Sequence, residues 1–146
     1  MNHFTRKSAY VWLIITEQTV NFIVLLYSIF FRKKKKREVK KIAAFWYCPP
    51  DQIGSNIRMG EWKTHFENDG FIFDNFYINN FQEGIEKISK GNYAHRYMYF
   101  ALCMWRRLPQ ILKLHRYDVV WIGRSIIPFY PRKNAFIESR LNRIVS

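Results

Sequence analysis

The stretch KKIAAFWYCPPDQIGSNIRMGEW, Lys40 to Trp62, decides the fold. Ile42 to Tyr47 is an unbroken apolar hexamer, the pattern of a strand buried on both faces. Pro49 and Pro50 end it, because proline brings no ladder N–H. A loop holding Gly54, Ser55 and Asn56 follows, and the chain re-emerges with helical spacing. A buried strand running into a loop that opens a helix is how a parallel α/β sheet offers backbone N–H groups to a ligand.

Reading outward, Asn56 to Asp69 is expected to be a helix with Ile57, Trp62 and Phe66 toward the core and Arg58, Lys63 and Glu67 away from it, stopped by Gly70. Phe71 to Ile78 reads as a second strand. The cleanest periodicity in the chain follows: Tyr97, Phe100, Ala101, Met104, Trp105, Leu108, Ile111, Leu112 and His115 recur at helical spacing. Pro109 is expected to kink or restart that helix near its middle. Tyr117 to Gly123 makes a third strand, and Arg132 to Arg143 a last helix with Phe136, Ile137 and Leu141 inward. The terminal Ile144-Val145-Ser146 reads as a strand just beginning. Strand and helix alternate three times, which implies an α/β fold with a Rossmann-like parallel sheet covered by helices on both faces.

Length and composition bound the answer. One domain fits into 146 residues, and 49% hydrophobic with 18% aromatic content excludes a disordered chain. The net charge of +13 is concentrated: Arg32 to Lys41 holds eight basic residues and one acid, Glu38, and so supplies +7. Such a run meets nucleic acid phosphates, anionic lipid headgroups or water alone. Its position favours lipid over nucleic acid, since it abuts Ala9 to Phe31, 23 residues with Glu17 as the single charge. That length suits a bilayer-spanning helix, and the basic flank suits a cytoplasmic side. Thr16, Glu17, Gln18, Thr19 and Asn21 interrupt the run, but Glu17, Asn21 and Ser28 share one helical stripe, so one face can carry them inward. A soluble amphipathic helix packed on the domain satisfies the same pattern. The chain thus divides into an N-terminal hydrophobic helix (1–31), a basic linker (32–41) and an α/β domain (42–146). Cys48 and Cys103 lie too far apart in sequence for a metal set and read as reduced core residues.

In order, "KIAAFWYCPPDQIGSNIRMGEWKTHFENDGF" and "YDVVWIGRSIIPFYPRKNAFIE" resemble the N-terminal domain of bacterial glycosyltransferases of the family 4 type with the GT-B architecture. The resemblance covers Ile42 to Val145. It implies an acceptor-side domain that works with a C-terminal domain gripping a nucleotide-sugar, so that this stretch alone is incomplete as an enzyme. It implies no resident cofactor, the nucleotide-sugar being substrate, and a cell-envelope or lipid-linked saccharide as acceptor, at the cytoplasmic side of the inner membrane or in the cytoplasm. Ser125 stands where the family pattern implies an acidic residue.

Sugar transfer requires a stabilised departing diphosphate and a positioned acceptor hydroxyl. Gly54, Ser55 and Asn56 lie at the carboxyl end of the first strand, where Gly54 permits close backbone approach and Ser55 meets a ligand oxygen or caps the helix. Arg58, in the first helical turn, and Arg124, ending the third strand on the same edge, are placed for an anion. Each has a bland counterpart: an N-cap for Ser55 or Asn56, a solvated side chain for Arg58, a surface ion pair for Arg124. His65 and His95 lack Ser or Asp partners at useful spacing, and His115 continues a helical face. No catalytic residue and no metal ligand is assigned, and no P-loop or G-x-G-x-x-G is present.

Overall fold

The computed structural model describes residues 3–31, 41–46, 62–78, 86, 88–123, 126–127 and 135–145. Helix α1 (His3–Phe30) precedes β1 (Lys41–Phe45), and residues 62–68 are helical (α2). Then come β2 (Ile72–Phe76), α3 (Tyr93–Ile111), a 3-10 turn (Leu114–Arg116), β3 (Val119–Ile122) and α4 (Ala135–Val145). The three strands form one parallel sheet in the order β2-β1-β3. The expectation of a parallel α/β sheet behind an apolar N-terminal helix is met.

The central position of β1 explains its composition. Ile42, Ala43, Ala44 and Phe45 are all buried, because neighbouring strands cover both edges and helices cover both faces. Ala43 and Phe45 point into a core shared with α1, α3 and α4, whereas Ile42, Ala44 and Trp46 face Phe66 of α2, Phe71, Phe73 and Trp121. This division follows from strand order. The crossover from β1 to β2 and the one from β2 back to β3 run in opposite directions, so connections of one hand place α2 and α3 on opposite faces.

Small devices fix the register. Asp118 donates its N–H to the Lys41 carbonyl (2.8 Å) while its carboxylate accepts the Lys41 N–H (3.1 Å), a reciprocal clasp at the amino edge of the sheet. Lys41, assigned to the basic linker by sequence, therefore opens the central strand. Helix α2 ends at Gly70, whose φ of 83° suits glycine. Phe71 N–H reaches back to Phe66 O and Gly70 N–H to Glu67 O, and the Phe66 and Phe71 rings meet at 5.7 Å. Those two bonds and that apolar contact make a Schellman stop. At the start of α3, the Asn92 side chain accepts the His95 N–H, satisfying one of the free donors of the first turn.

Several expectations are corrected. Pro109 lies in the last turn of α3, where its missing N–H costs one bond, and the helix ends at Ile111 instead of continuing through His115. Trp62 is 54% exposed and Trp105 42% exposed, so neither is a core residue. The residues read as an incipient strand, Ile144 and Val145, end α4; Ile144 joins Ile137 and Leu141 at helical spacing in the main core. Ile57, and the side chain of Phe136, lie outside the described residues, as do Arg32 to Lys40.

Two predictions follow from this packing. Ile144→Ala removes a fully buried side chain and is expected to lower the unfolding free energy by about 2–5 kcal/mol in urea denaturation. An exposed end would lose almost nothing. The second concerns Tyr117, whose hydroxyl donates to Asp74 Oδ2 (2.8 Å) beneath the small Ala43. Burial first, then the bond to Asp74 and its charge, push the phenol from 10.0 to about 12. A raised folded-state pKa gives stability that is complete below the unfolded value and lost as pH rises through the folded one. Urea midpoints measured between pH 10 and 12 are therefore expected to fall less in Tyr117→Phe than in the wild type.

Candidate functional site

In a parallel sheet, the strand pair whose connections depart in opposite directions leaves a crevice at its carboxyl ends. Here the chain leaving β1 leads to α2 on one face of the sheet and the chain leaving β3 leads to α4 on the other, which makes β1 and β3 that pair. Its edge is formed by Phe45 and Trp46 leaving β1 and by Ile122 and Gly123 leaving β3, with Gly123 N–H bonded to Phe45 O (3.0 Å) and Trp46 N–H to Phe76 O (3.0 Å). Gly123 is required for a steric reason: a Cβ there would stand 2.5 Å from the Trp46 indole. The indole is buried, and its Nε1–H has no acceptor among the described residues.

The edge is held from below by Arg107. Parallel strands present their last carbonyls together, and the guanidinium reaches one from each part of the edge. It donates through Nε to Ile126 O (2.9 Å), through Nη1 to Phe76 O (2.9 Å) and through Nη2 to Trp46 O. Nη1 also donates to Gln110 Oε1 (2.7 Å), and Gln110 Nε2 in turn donates to Tyr77 O (3.1 Å). Arg107 is fully buried, and the Phe45 ring lies 5.2 Å from its Cζ. Burial lowers its pKa to about 10, so it stays charged at neutral pH. Among the described residues its hydrogen-bond acceptors are neutral oxygens, so it contributes a positive charge beneath the strand ends. The chain beyond β3 is further fixed by Glu138 in the first turn of α4, which accepts the Ile126 N–H (3.5 Å).

Aromatic rings wall one side. Trp46 lies 6.0 Å from Trp121, and Trp121 lies 6.0 Å edge-on from Trp62. Because α2 runs back from the carboxyl edge, Trp62 in its first described turn stands at the crevice end, largely exposed. On the same face, Ile42, Phe66, Phe71, Val119 and Trp121 line an open apolar groove that reaches the amino ends of the strands. Flat, amphipathic indoles of this kind accept ligands with one apolar face and a polar rim.

Gly54, Ser55, Asn56, Arg58 and Arg124, the residues singled out by sequence, lie outside the described residues. In the sequence they follow the two segments that leave this edge: residues 54–58 come after Trp46, and Arg124 comes directly after Gly123. Sequence reading missed Arg107, which looks like half of a solvated Arg-Arg pair. The available signal was its register, since 100, 103, 104, 107, 108 and 111 form one buried helical face.

The remaining candidates are structural. Cys103 is fully buried, and burial raises its thiol pKa, which makes it inert. His115 meets the Tyr27 hydroxyl and lies 3.2 Å from Leu112 O, clasping the end of α1. His65 and His95 are exposed on their helices. No known family model, curated protein or solved structure matches the chain.

Arg107→Met removes the guanidinium donors from the Trp46, Ile126 and Phe76 carbonyls, of which Phe76 O keeps the Trp46 N–H. It is expected to destabilise by roughly 3 kcal/mol or more, since each buried acceptor left unmade costs about 1–3 kcal/mol. Arg107→Lys restores the charge but not the planar fork, and should recover only part of the loss. Urea denaturation of the two variants beside the wild type checks both; an unchanged midpoint for Arg107→Met would show that the edge holds itself.

Proposed function

We propose that the chain is the acceptor-side part of a GT-B-type glycosyltransferase, a Rossmann-like unit that holds a cell-envelope or lipid-linked saccharide while a donor-binding domain holds the nucleotide-sugar. The observation that carries this reading is the crevice between β1 and β3, with the positive charge of Arg107 beneath the strand ends and its indole wall of Trp46, Trp121 and Trp62. Sequence order adds the means of recognition. Gly54 permits close approach of backbone N–H groups, Ser55 and Asn56 offer hydrogen bonds at the start of a helix, and Arg58 and Arg124 supply cations for a phosphate or diphosphate.

In such a transfer the acceptor hydroxyl oxygen bonds to the anomeric carbon, its proton passes to solvent or to a phosphate oxygen of the leaving group, the bond to the diphosphate breaks and the nucleoside diphosphate departs. The acceptor side contributes position and field, which is where most of the rate enhancement of such a reaction is found. A pyranose has an apolar face and a rim of hydroxyls, which suits an indole beside a polar loop.

Saturation-transfer NMR on the chain, with a panel of saccharides, nucleotide-sugars and single-stranded oligonucleotides, tests the reading. Saccharide or nucleotide-sugar binding is expected, weakened about tenfold in Arg58→Ala and Arg124→Ala, which corresponds to one charge-assisted contact each. Circular dichroism should show both variants folded. Binding of oligonucleotides alone, falling steeply with salt, would replace this reading with that of a non-enzymatic basic protein acting through Arg32 to Lys41.

A further inference from the structure

We infer that the protein sits on an anionic lipid bilayer with α1 lying in the plane of the surface, its outward face among the acyl chains. The inference rests on α1 and α3, independently of any sugar chemistry.

Helix α1 lacks the polar outer face of a helix on a water-soluble domain. Thr16, Glu17, Asn21 and Ser28 are buried against the domain, while Val11, Trp12, Ile15, Phe22, Leu26, Ile29 and Phe30 are exposed. At 100° per residue those seven outward side chains fall within one strip. Thr19 interrupts the strip, yet its hydroxyl donates to Ile15 O (2.8 Å), back into its own helix. Beside α1, the outer face of α3 adds Met98, Leu102 and Trp105. An apolar surface of this extent marks a contact with lipid or protein.

The segment Arg6–Phe30 is long and apolar enough to cross a membrane, but its packing argues for a surface position. Leu13, Val20, Val24 and Tyr27 belong to the same core as Ala43 and Phe45 of the sheet. If α1 spanned while packed, it would carry a sheet with open edges into hydrocarbon, where unpaired backbone is not tolerated. If it spanned alone, Glu17 and Asn21 would face acyl chains. Lying in the plane avoids both, because the domain itself covers the polar side.

Charge selects the occupant. Arg6 and Lys7 line an open cleft with Tyr10 and Tyr97 at one end of α1, and the basic run follows Phe31 in sequence at the other. Two copies paired through this face would set basic end against basic end in either orientation. Anionic headgroups complement both ends.

Flotation of the full chain with vesicles tests this. The wild type is expected to float with equimolar phosphatidylcholine and phosphatidylglycerol, and Phe22→Asp/Leu26→Asp to bind at least about tenfold more weakly with an unchanged circular dichroism spectrum. His3→Cys, which at 100° per residue lies off the outward strip, in a Cys48→Ala background should be labelled by an impermeant thiol reagent from outside the vesicles. Protection of that thiol would show a spanning helix and overturn the in-plane placement. Equal flotation with phosphatidylcholine alone would overturn the headgroup role. Failure of the wild type to float overturns the proposal outright, as does a dimer that the double variant makes monomeric. None of these outcomes bears on saccharide binding, so the two readings fail separately.

Discussion

The carboxyl edge of the sheet depends on one buried cation. At this edge the carbonyls of Trp46 and Ile126, and that of Phe76, which also accepts the Trp46 N–H, come together inside the domain. Arg107 meets Trp46, Phe76 and Ile126 with a single planar group, which a lysine cannot do. Burying a guanidinium is costly, and its lowered pKa records that cost. The return is geometric: α3 cannot slide along the sheet without breaking several bonds at once. Trp46 and Gly123 inherit that order, since the indole fills the space that a side chain at Gly123 would occupy.

The same economy of polar groups governs α1. Its buried stripe is tied to the domain at separate points: Arg140 of α4 donates to Asn21 O, and the Tyr27 hydroxyl donates to Leu112 O (2.7 Å). Ser28 bonds back to Leu25 O (2.8 Å). Stacking of Tyr27 on Phe31 and the neighbouring His115 close the C-terminal end. The same side buries Leu13, Val20 and Val24 in the main core, so α1 is apolar on both sides, and the polar Thr16, Glu17, Asn21 and Ser28 are among the residues it turns inward.

Much of the fold was legible because the signals were local. The unbroken apolar run of β1 announced a central strand, Gly70 announced the end of α2, and the spacing of Glu17, Asn21 and Ser28 announced a shared polar face. What sequence did not show was tertiary. Whether Ile144 continues a helix or begins a strand depends on the core it meets, and two apolar residues before the terminus fit either period. Trp105 fits the α3 periodicity but lies just beyond the buried arc, whereas Arg107 lies within it; hydropathy ranks the two the wrong way round. The candidate site was legible as a position, the carboxyl edge after β1 and β3, because that follows from topology. The buried cation beneath it was not, because a charged residue enters a core only where several acceptors converge, and convergence is a property of three dimensions.

The two surfaces are connected by the direction of α3. Helix and strands are antiparallel: Arg107 sits at the level of the carboxyl edge, and Asp118 is already at the amino edge. Residues 93 to 106 therefore project past the sheet, by on the order of 20 Å at 1.5 Å per residue. Helix α1 runs alongside in the same direction, with Tyr10 against Tyr97 and Arg6 over Tyr93. The N-terminal halves of both helices thus stand beside the crevice, not behind it. With α1 lying on a bilayer, the crevice would open near the headgroup layer, within reach of a saccharide carried on a lipid and out of reach of the hydrocarbon. On that placement the constraint that orders the strand ends would also set their height above the bilayer, because Arg107 fixes α3 to the sheet and α3 carries α1.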